Sequence, residues 1–231
     1  MSGLDIIIDP EVNQYTQTYH VIQQYLKQVP VSTVIEIGAS SGGGTTEALI
    51  KGILLSPNKG KDVKMASVEV SRARFSNLKN RYNGVSFFTP YNTSSLPLSR
   101  FPSRESVAEF ISTTGVHGGN VEEVLRWLDQ DIKYVNDNKF NLNGIQQIKD
   151  DFGVKTFSLA VIDGSEFLGN EEFNDLQGCD AYLLDDIHVY KNWYSHRDLL
   201  EDSNYVMLFE EKIRGGSSLF AKKEIVEKYL R

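Results

Sequence analysis

Five carboxylates, Glu36, Glu69, Asp163, Asp185 and Asp186, stand within or just after short apolar runs of the kind that form buried strands. In open α/β sheets ligands bind beyond the carboxyl ends of the strands, so acids in these places face a shared site. Asp163 closes a run at 157–163 and the Asp185-Asp186 pair closes a second at 181–186. If those strands are parallel neighbours, the acids gather negative charge that a cation should balance. Oxygen ligands without His or Cys suit Mg²⁺, Ca²⁺ or Mn²⁺. Such an ion can hold two substrate oxygens and lower the pKa of an attacking hydroxyl.

The first acid leads into a glycine-dense turn, Gly38-Ala39-Ser40-Ser41-Gly42-Gly43-Gly44. Glycines permit a tight turn and bring backbone N–H groups close to a ligand. The following segment, 45–54, reads as a helix. Unpaired N–H groups at its start, together with its dipole, favour an anionic or carboxylate-bearing ligand. A turn without any ligand is the plainer alternative.

Spacing sorts the nucleotide sites that such a turn could form. A phosphate-binding P-loop needs Gly-Lys-Ser/Thr, and the first Lys after the turn is Lys51, inside the helix. A dinucleotide fingerprint wants G-x-G-x-x-G, but Ser40 breaks it, and Glu69 lies 31 positions beyond Gly38, against roughly 20 for that motif. This weakens the dinucleotide reading and leaves it open. Glu36-x-Gly38-x-x-x-Gly42 resembles motif I of the class I S-adenosylmethionine-dependent methyltransferases. Glu69 ends the next run, 65–70, where this family has an acid on the ribose hydroxyls; a Glu capping the helix at 72–82 would look the same. After a third run at 85–88, Asn92 and Thr93 occupy the family's adenine-contacting place.

The resemblance is closest to the metal-dependent O-methyltransferases of the catechol and macrolide-sugar types. There an Asp after the fourth strand and an Asp-Asp or Asp-Asn pair after the fifth bind the ion, which implies Asp163, Asp185 and Asp186 here. Asp185 and Asp186 could instead cap a helix at 190–200. The residue three beyond the first Asp is commonly a Lys or His base. Here it is Glu166, a departure that leaves the base open. His188, two residues past the acid pair, titrates near neutrality when unperturbed, at about 6.5, and a structural role suits it equally. The resemblance implies that S-adenosylmethionine is held by the backbone of Gly38, Ala39, Ser40, Ser41 and Gly42, with Glu69 on the ribose. Glu36, Thr45, Val70, Asn92 and Asp163 are counted with that site.

The expected fold is α/β, a seven-stranded mostly parallel Rossmann-like sheet with a C-terminal antiparallel hairpin and a helical insertion. The hairpin is read from runs at 205–209 and 218–221 joined through Gly215 and Gly216. The insertion, at about 96–156, carries helices near 104–112, 121–135 and 144–151 and would form a cap over the substrate. Its loop residue His117 is expected to face solvent. An amphipathic helix at 11–27, with Tyr15, Tyr19 and Tyr25 in the core, precedes the first strand, and Pro30 closes it.

The 231 residues, 40% of them hydrophobic, suit one enzyme-sized domain. The net charge of −7 argues against nucleic acid as a partner. Arg72, Arg74, Lys79 and Arg81 read as a solvated helix face. The single Cys179 excludes an internal disulfide and suits a reducing compartment. No apolar run is long enough to span a membrane and the first residues lack a signal pattern, so a cytoplasmic protein is expected. The reading is a methyltransferase acting on a hydroxyl of a small molecule or sugar, with a homodimer as an open expectation. A NAD-dependent oxidoreductase, or a non-catalytic cofactor-binding partner in glycan or metabolite assembly, stands as the alternative.

Overall fold

Asn13 decides where the first helix starts. Its backbone oxygen accepts from Thr16 N at 2.9 Å and its side-chain oxygen from Tyr15 N at 3.0 Å, a local turn that competes with helix. Helix α1 therefore spans Gln17–Gln28 rather than starting at residue 11, and Tyr15 is 86% exposed while Tyr19 and Tyr25 are buried. The computed structural model describes residues 3–7, 9–140 and 142–231.

The chain continues as β1 (Thr33–Ile37), α2 (Thr45–Leu55), β2 (Lys64–Val68), α3 (Arg72–Arg81) and β3 (Phe88–Tyr91). Next come α4 (Arg104–Thr114), α5 (Val121–Asp137), α6 (Gly144–Phe152), β4 (Leu159–Ile162), α7 (Gly169–Asp175) and β5 (Ala181–Asp185). It ends in α8 (Trp193–Glu201), β6 (Tyr205–Glu211), β7 (Ser217–Lys222) and α9 (Lys223–Tyr229). The strands form one seven-stranded sheet in the order β3-β2-β1-β4-β5-β7-β6. β1 to β5 pair in parallel, and β7 runs antiparallel between β5 and β6. The expected mostly parallel sheet with its terminal hairpin is what forms.

Strand β3 begins three residues later than its apolar run suggested. Val85-Ser86-Phe87 forms a turn instead, with Phe88 N donating to Val85 O at 3.1 Å. Pro90 sits inside the strand, and it is tolerated because β3 is the edge strand of the sheet, with no partner on its far side among the described residues.

Alternation along the strands builds two cores. Val34, Met65, Leu159 and Val161 face α1 and α2, joining Tyr19, Leu26, Leu49 and Ile53. Ile35, Ile37, Val68, Ala160 and Ile162 face the other side with Ile148 of α6, Phe173 of α7 and Leu199 of α8. Parallel strands buried on both faces read as near-continuous apolar runs, which is why β1, β4 and β5 were visible in the sequence. The insertion divides in two. α4 and α5 form a separate core of Val107, Phe110, Ile111, Val124, Leu125 and Leu128, closed by Phe167, whereas α6 packs on the sheet.

Candidate functional site

Register brings the functional ends of the strands together. Ile37 pairs with Val68 on one side and Ile162 on the other, and Ile162 pairs with Leu184. The residues that follow, Gly38, Glu69, Asp163 and Asp185, therefore emerge along one sheet edge. A cavity of about 270 Å³ lies there, floored by Gly38, Ala39 and Ser40 and bounded by Glu69, Val70 and Thr93 at one end and by Asp163, Asp185, Asp186 and Lys191 at the other.

Gly38 is required by contact as well as by backbone. Its φ is +89°, and a Cβ would lie 1.9 Å from the Asp163 carbonyl oxygen. Ser40 holds a left-handed φ of 50° without being glycine, strain of a kind that concentrates at functional sites. The hydroxyls of Ser40 and Ser41 are buried with no hydrogen-bond partner. Such groups cost free energy unless something pairs with them, so the turn fits a ligand carrying polar groups.

Glu36 lies beneath the turn and is fully buried. It accepts hydrogen bonds from Thr46 Oγ1 and Ser67 Oγ, and burial pushes its carboxyl up to about 7. It ties β1 to α2 and β2 and is not among the cavity-lining residues. Ser41, Gly42 and Asn92 are likewise behind the wall. Gly42 O accepts from Tyr82 OH, and Asn92 Nδ2 donates to the backbone oxygens of Glu69 and Val70. Ala39, Ser40, Thr45, Glu69, Val70 and Asp163 line the cavity, as does Thr93. Glu69 is 4% exposed, and its Oε1 accepts from Ser71 N at 2.7 Å. Burial raises its carboxyl, which backbone hydrogen bonds from Ser71 and Ser40 partly offset.

At the other end, one oxygen from each of Asp163, Asp185 and Asp186 lies within 4.8 Å of the others. Burial and then the neighbouring Asp163 charge push the Asp185 carboxyl well up, and burial also raises Asp163. Asp186 holds a φ of 56°. Neither Asp caps α8, whose N-cap position is Asn192; this buried residue donates from Nδ2 to Ile162 O at 3.0 Å and Asp185 O at 2.5 Å.

The two residues expected as the base make other contacts. Glu166 pairs with His117 Nε2 at 3.0 Å, and His117 stacks edge-on against Trp127. His117 is thus half-buried beside α5 rather than facing solvent. His188 packs against the hairpin, its Nε2 2.9 Å from where a Cβ on Gly216 would be. Neither Glu166 nor His188 is among the cavity-lining residues.

The structure adds residues that the sequence did not single out. Lys191 places its ammonium on the acid cluster, 3.2 Å from Asp163 Oδ1 and 2.6 Å from Asp186 Oδ2. Burial opposes its charge, but Asp163, Asp186 and Asp185 outweigh that and raise it well above an ordinary lysine. Asp131 of α5 accepts from Ser165 Oγ at 2.7 Å and is pushed up to about 6 by burial. Glu172 of α7 is fully buried, accepts from Ser95 Oγ, has an unpaired Oε2, and is pushed up to about 7 by burial. Asp9, Pro10, Glu11 and Val12 also line the cavity, so the segment before α1 covers the glycine turn.

No protein-family model matches the sequence, and no curated protein matches it. Solved structures do resemble it. An O-methyltransferase from Bacillus cereus in complex with S-adenosylhomocysteine superposes over 93% of this chain and 84% of its own, with a TM-score of 0.53 and 10% identity. The O-methyltransferase TomG from Streptomyces achromogenes, in complex with S-adenosylmethionine, covers 92% and 82%, with a TM-score of 0.52 and 12% identity. A methyltransferase from Geobacter sulfurreducens covers 94% and 80%, with a TM-score of 0.51 and 9% identity. Strand order, the antiparallel β7 and these likenesses lead to one conclusion: the chain has the Rossmann-like fold of the class I S-adenosylmethionine-dependent methyltransferases.

Proposed function

We propose that this protein is an S-adenosylmethionine-dependent methyltransferase that methylates a hydroxyl of a small acceptor. The observation that carries the reading is the cavity itself, which runs from Glu69 across the glycine turn to the Asp163, Asp185 and Asp186 cluster. Its charge agrees. Among the described residues eight acidic side chains line it, those of Asp9, Glu11, Glu69, Asp131, Asp163, Glu172, Asp185 and Asp186, against Arg74 and Lys191, and acids stay in excess with Asp185 held neutral by burial. Such a surface favours a sulfonium cation and disfavours the pyrophosphate of a dinucleotide. The antiparallel β7 within the sheet also weighs against the dinucleotide fold.

Each wall has a part. The unpaired hydroxyl of Ser40, on the cavity floor, holds the amino-acid end, and Glu69, fixed by Ser71, holds the ribose. When bound, the cofactor supplies an electrophilic methyl carbon. The chain's task is to align the acceptor oxygen with it and to exclude water. The acceptor lies between the turn and the acid cluster, and a carboxylate of the Asp163 and Asp185 pair takes its proton. Glu166 is paired with His117, and His188 packs on the hairpin. Three carboxylates suit a divalent ion by type, but the Lys191 ammonium already stands on two of them, and no step here requires the ion. The buried, unpaired Cys179 agrees with a reducing, cytoplasmic compartment. Among the described residues, no helix is long and apolar enough to cross a membrane.

Glu69→Ala tests the reading. It should weaken S-adenosylmethionine binding by roughly tenfold or more, the loss of a charge-assisted hydrogen bond. Unchanged affinity in calorimetry would overturn the assignment.

A further inference from the structure

The acid cluster carries its own cation. Lys191 has a side chain only 6% exposed, and its Nζ lies 3.2 Å from Asp163 Oδ1 and 2.6 Å from Asp186 Oδ2. The three carboxylates offer oxygens within 4.8 Å of one another, the span a single hard cation would bridge. The Lys191 ammonium is already held on two of these three carboxylates. A divalent ion would have to enter beside a buried positive charge or expel it.

The surroundings hold Lys191 where it is. Its carbonyl oxygen is packed so closely on Gly169 that a Cβ there would lie 2.3 Å away. The next residue, Asn192, is locked across the ends of β4 and β5. Asp186 is held as firmly. Its carboxylate sits where a Cβ on Gly215 would be, 1.8 Å from Oδ1.

We propose that Lys191 is the resident cation of this centre, taking the place of a divalent metal ion, so that the protein binds and needs none. The inference rests on the cluster's geometry and does not depend on the identity of the reaction. In the reaction proposed above, two of the three ammonium N–H groups are spent on Asp163 and Asp186. The third is left for the acceptor oxygen, which makes Lys191 the group that positions it.

The test is retention of Mn²⁺ together with thermal unfolding, neither of which involves a methyl donor. Wild-type protein equilibrated with Mn²⁺ and then dialysed should hold none, and its unfolding midpoint should not move with added Mn²⁺ or with a chelator. Lys191→Met should leave the carboxylates uncompensated and lower the midpoint by roughly 10 °C, with added Mn²⁺ restoring part of the loss. Should that variant fail to fold, Lys191→Gln replaces it, and the wild-type measurement decides on its own. One Mn²⁺ per wild-type chain, released by Asp186→Asn, would overturn the proposal. A Lys191→Met protein that melts with wild type and ignores Mn²⁺ would overturn it as well.

Discussion

Replacing Gly38 with Ala probes how closely the glycine turn is built against the fourth strand. The new Cβ would lie 1.9 Å from the Asp163 carbonyl oxygen, 2.4 Å from its carbon and 2.7 Å from Gly164 Cα. All three are backbone atoms, held by the 3.0 Å hydrogen bond from Asp163 N to Ile37 O, so no flexible side chain can yield. Gly84 provides the control. Its φ of +95° is close to the +89° of Gly38, yet nothing lies within 4 Å of its would-be Cβ. Gly84→Ala should cost only left-handed strain, about 1–2 kcal/mol, or roughly 4 °C in a chain of this size. Gly38→Ala bears that strain and adds overpacking of about 1–3 kcal/mol and a damaged hydrogen bond of about 1 kcal/mol. Its midpoint should fall by roughly 10 °C or more. Thermal unfolding of both variants by circular dichroism measures the difference. If Gly38→Ala melts with Gly84→Ala, the turn is not in contact with β4 and the cavity floor described above is wrong.

Other outcomes follow from the same geometry. Glu172→Gln should gain stability relative to wild type as pH rises. A carboxyl whose folded value is raised from 4.5 to about 7 binds more protons folded than unfolded, so wild type loses stability across that interval, up to about 3 kcal/mol; a flat difference in denaturant midpoints between acid and neutral pH would contradict this. His117 is raised by its hydrogen bond to Glu166, with burial opposing. Its contribution to stability is full below its unfolded value of about 6.5 and fades as pH climbs through the raised one. Wild type should therefore exceed His117→Gln in unfolding midpoint at acidic pH and converge with it at alkaline pH. Phe110 meets Tyr190 at 5.0 Å and Trp193 at 5.6 Å between ring centres. Phe110→Ala should cost about 3–5 kcal/mol, seen as faster hydrogen exchange in α4 and α5 and not in the sheet.

Buried parallel strands are the most legible elements in this sequence because both faces are apolar, so β1, β4 and β5 were found with their terminal acids in place. Edges were harder. Around β3, Val85 and Phe87 look as strand-like as Phe88 and Tyr91, and hydrophobicity alone does not separate the turn from the strand. Asn13 similarly stopped α1 short by an interaction that hydrophobic spacing does not reveal. In the site, Gly38 and the acids at 69, 163, 185 and 186 were visible because each ends a recognisable run. Glu36 was visible too, but its role is different: it is sealed under the turn by Thr46 and Ser67 and touches no ligand space. Asp131 and Glu172 were hidden as ordinary acids on amphipathic helices, since only the packing of α5 and α7 over the sheet edge buries them. Lys191 had a signal. The gathered carboxylates demanded a cation, and the loop from Asp185 to α8 contains one lysine.

Isothermal titration of the protein with S-adenosylmethionine, with NAD as the comparison ligand and without added metal, tests the central claim most directly. Saturable heat from S-adenosylmethionine at micromolar concentration, with none from NAD, is the predicted result. Binding of NAD with silence toward S-adenosylmethionine would contradict it and make the chain a dinucleotide-dependent protein.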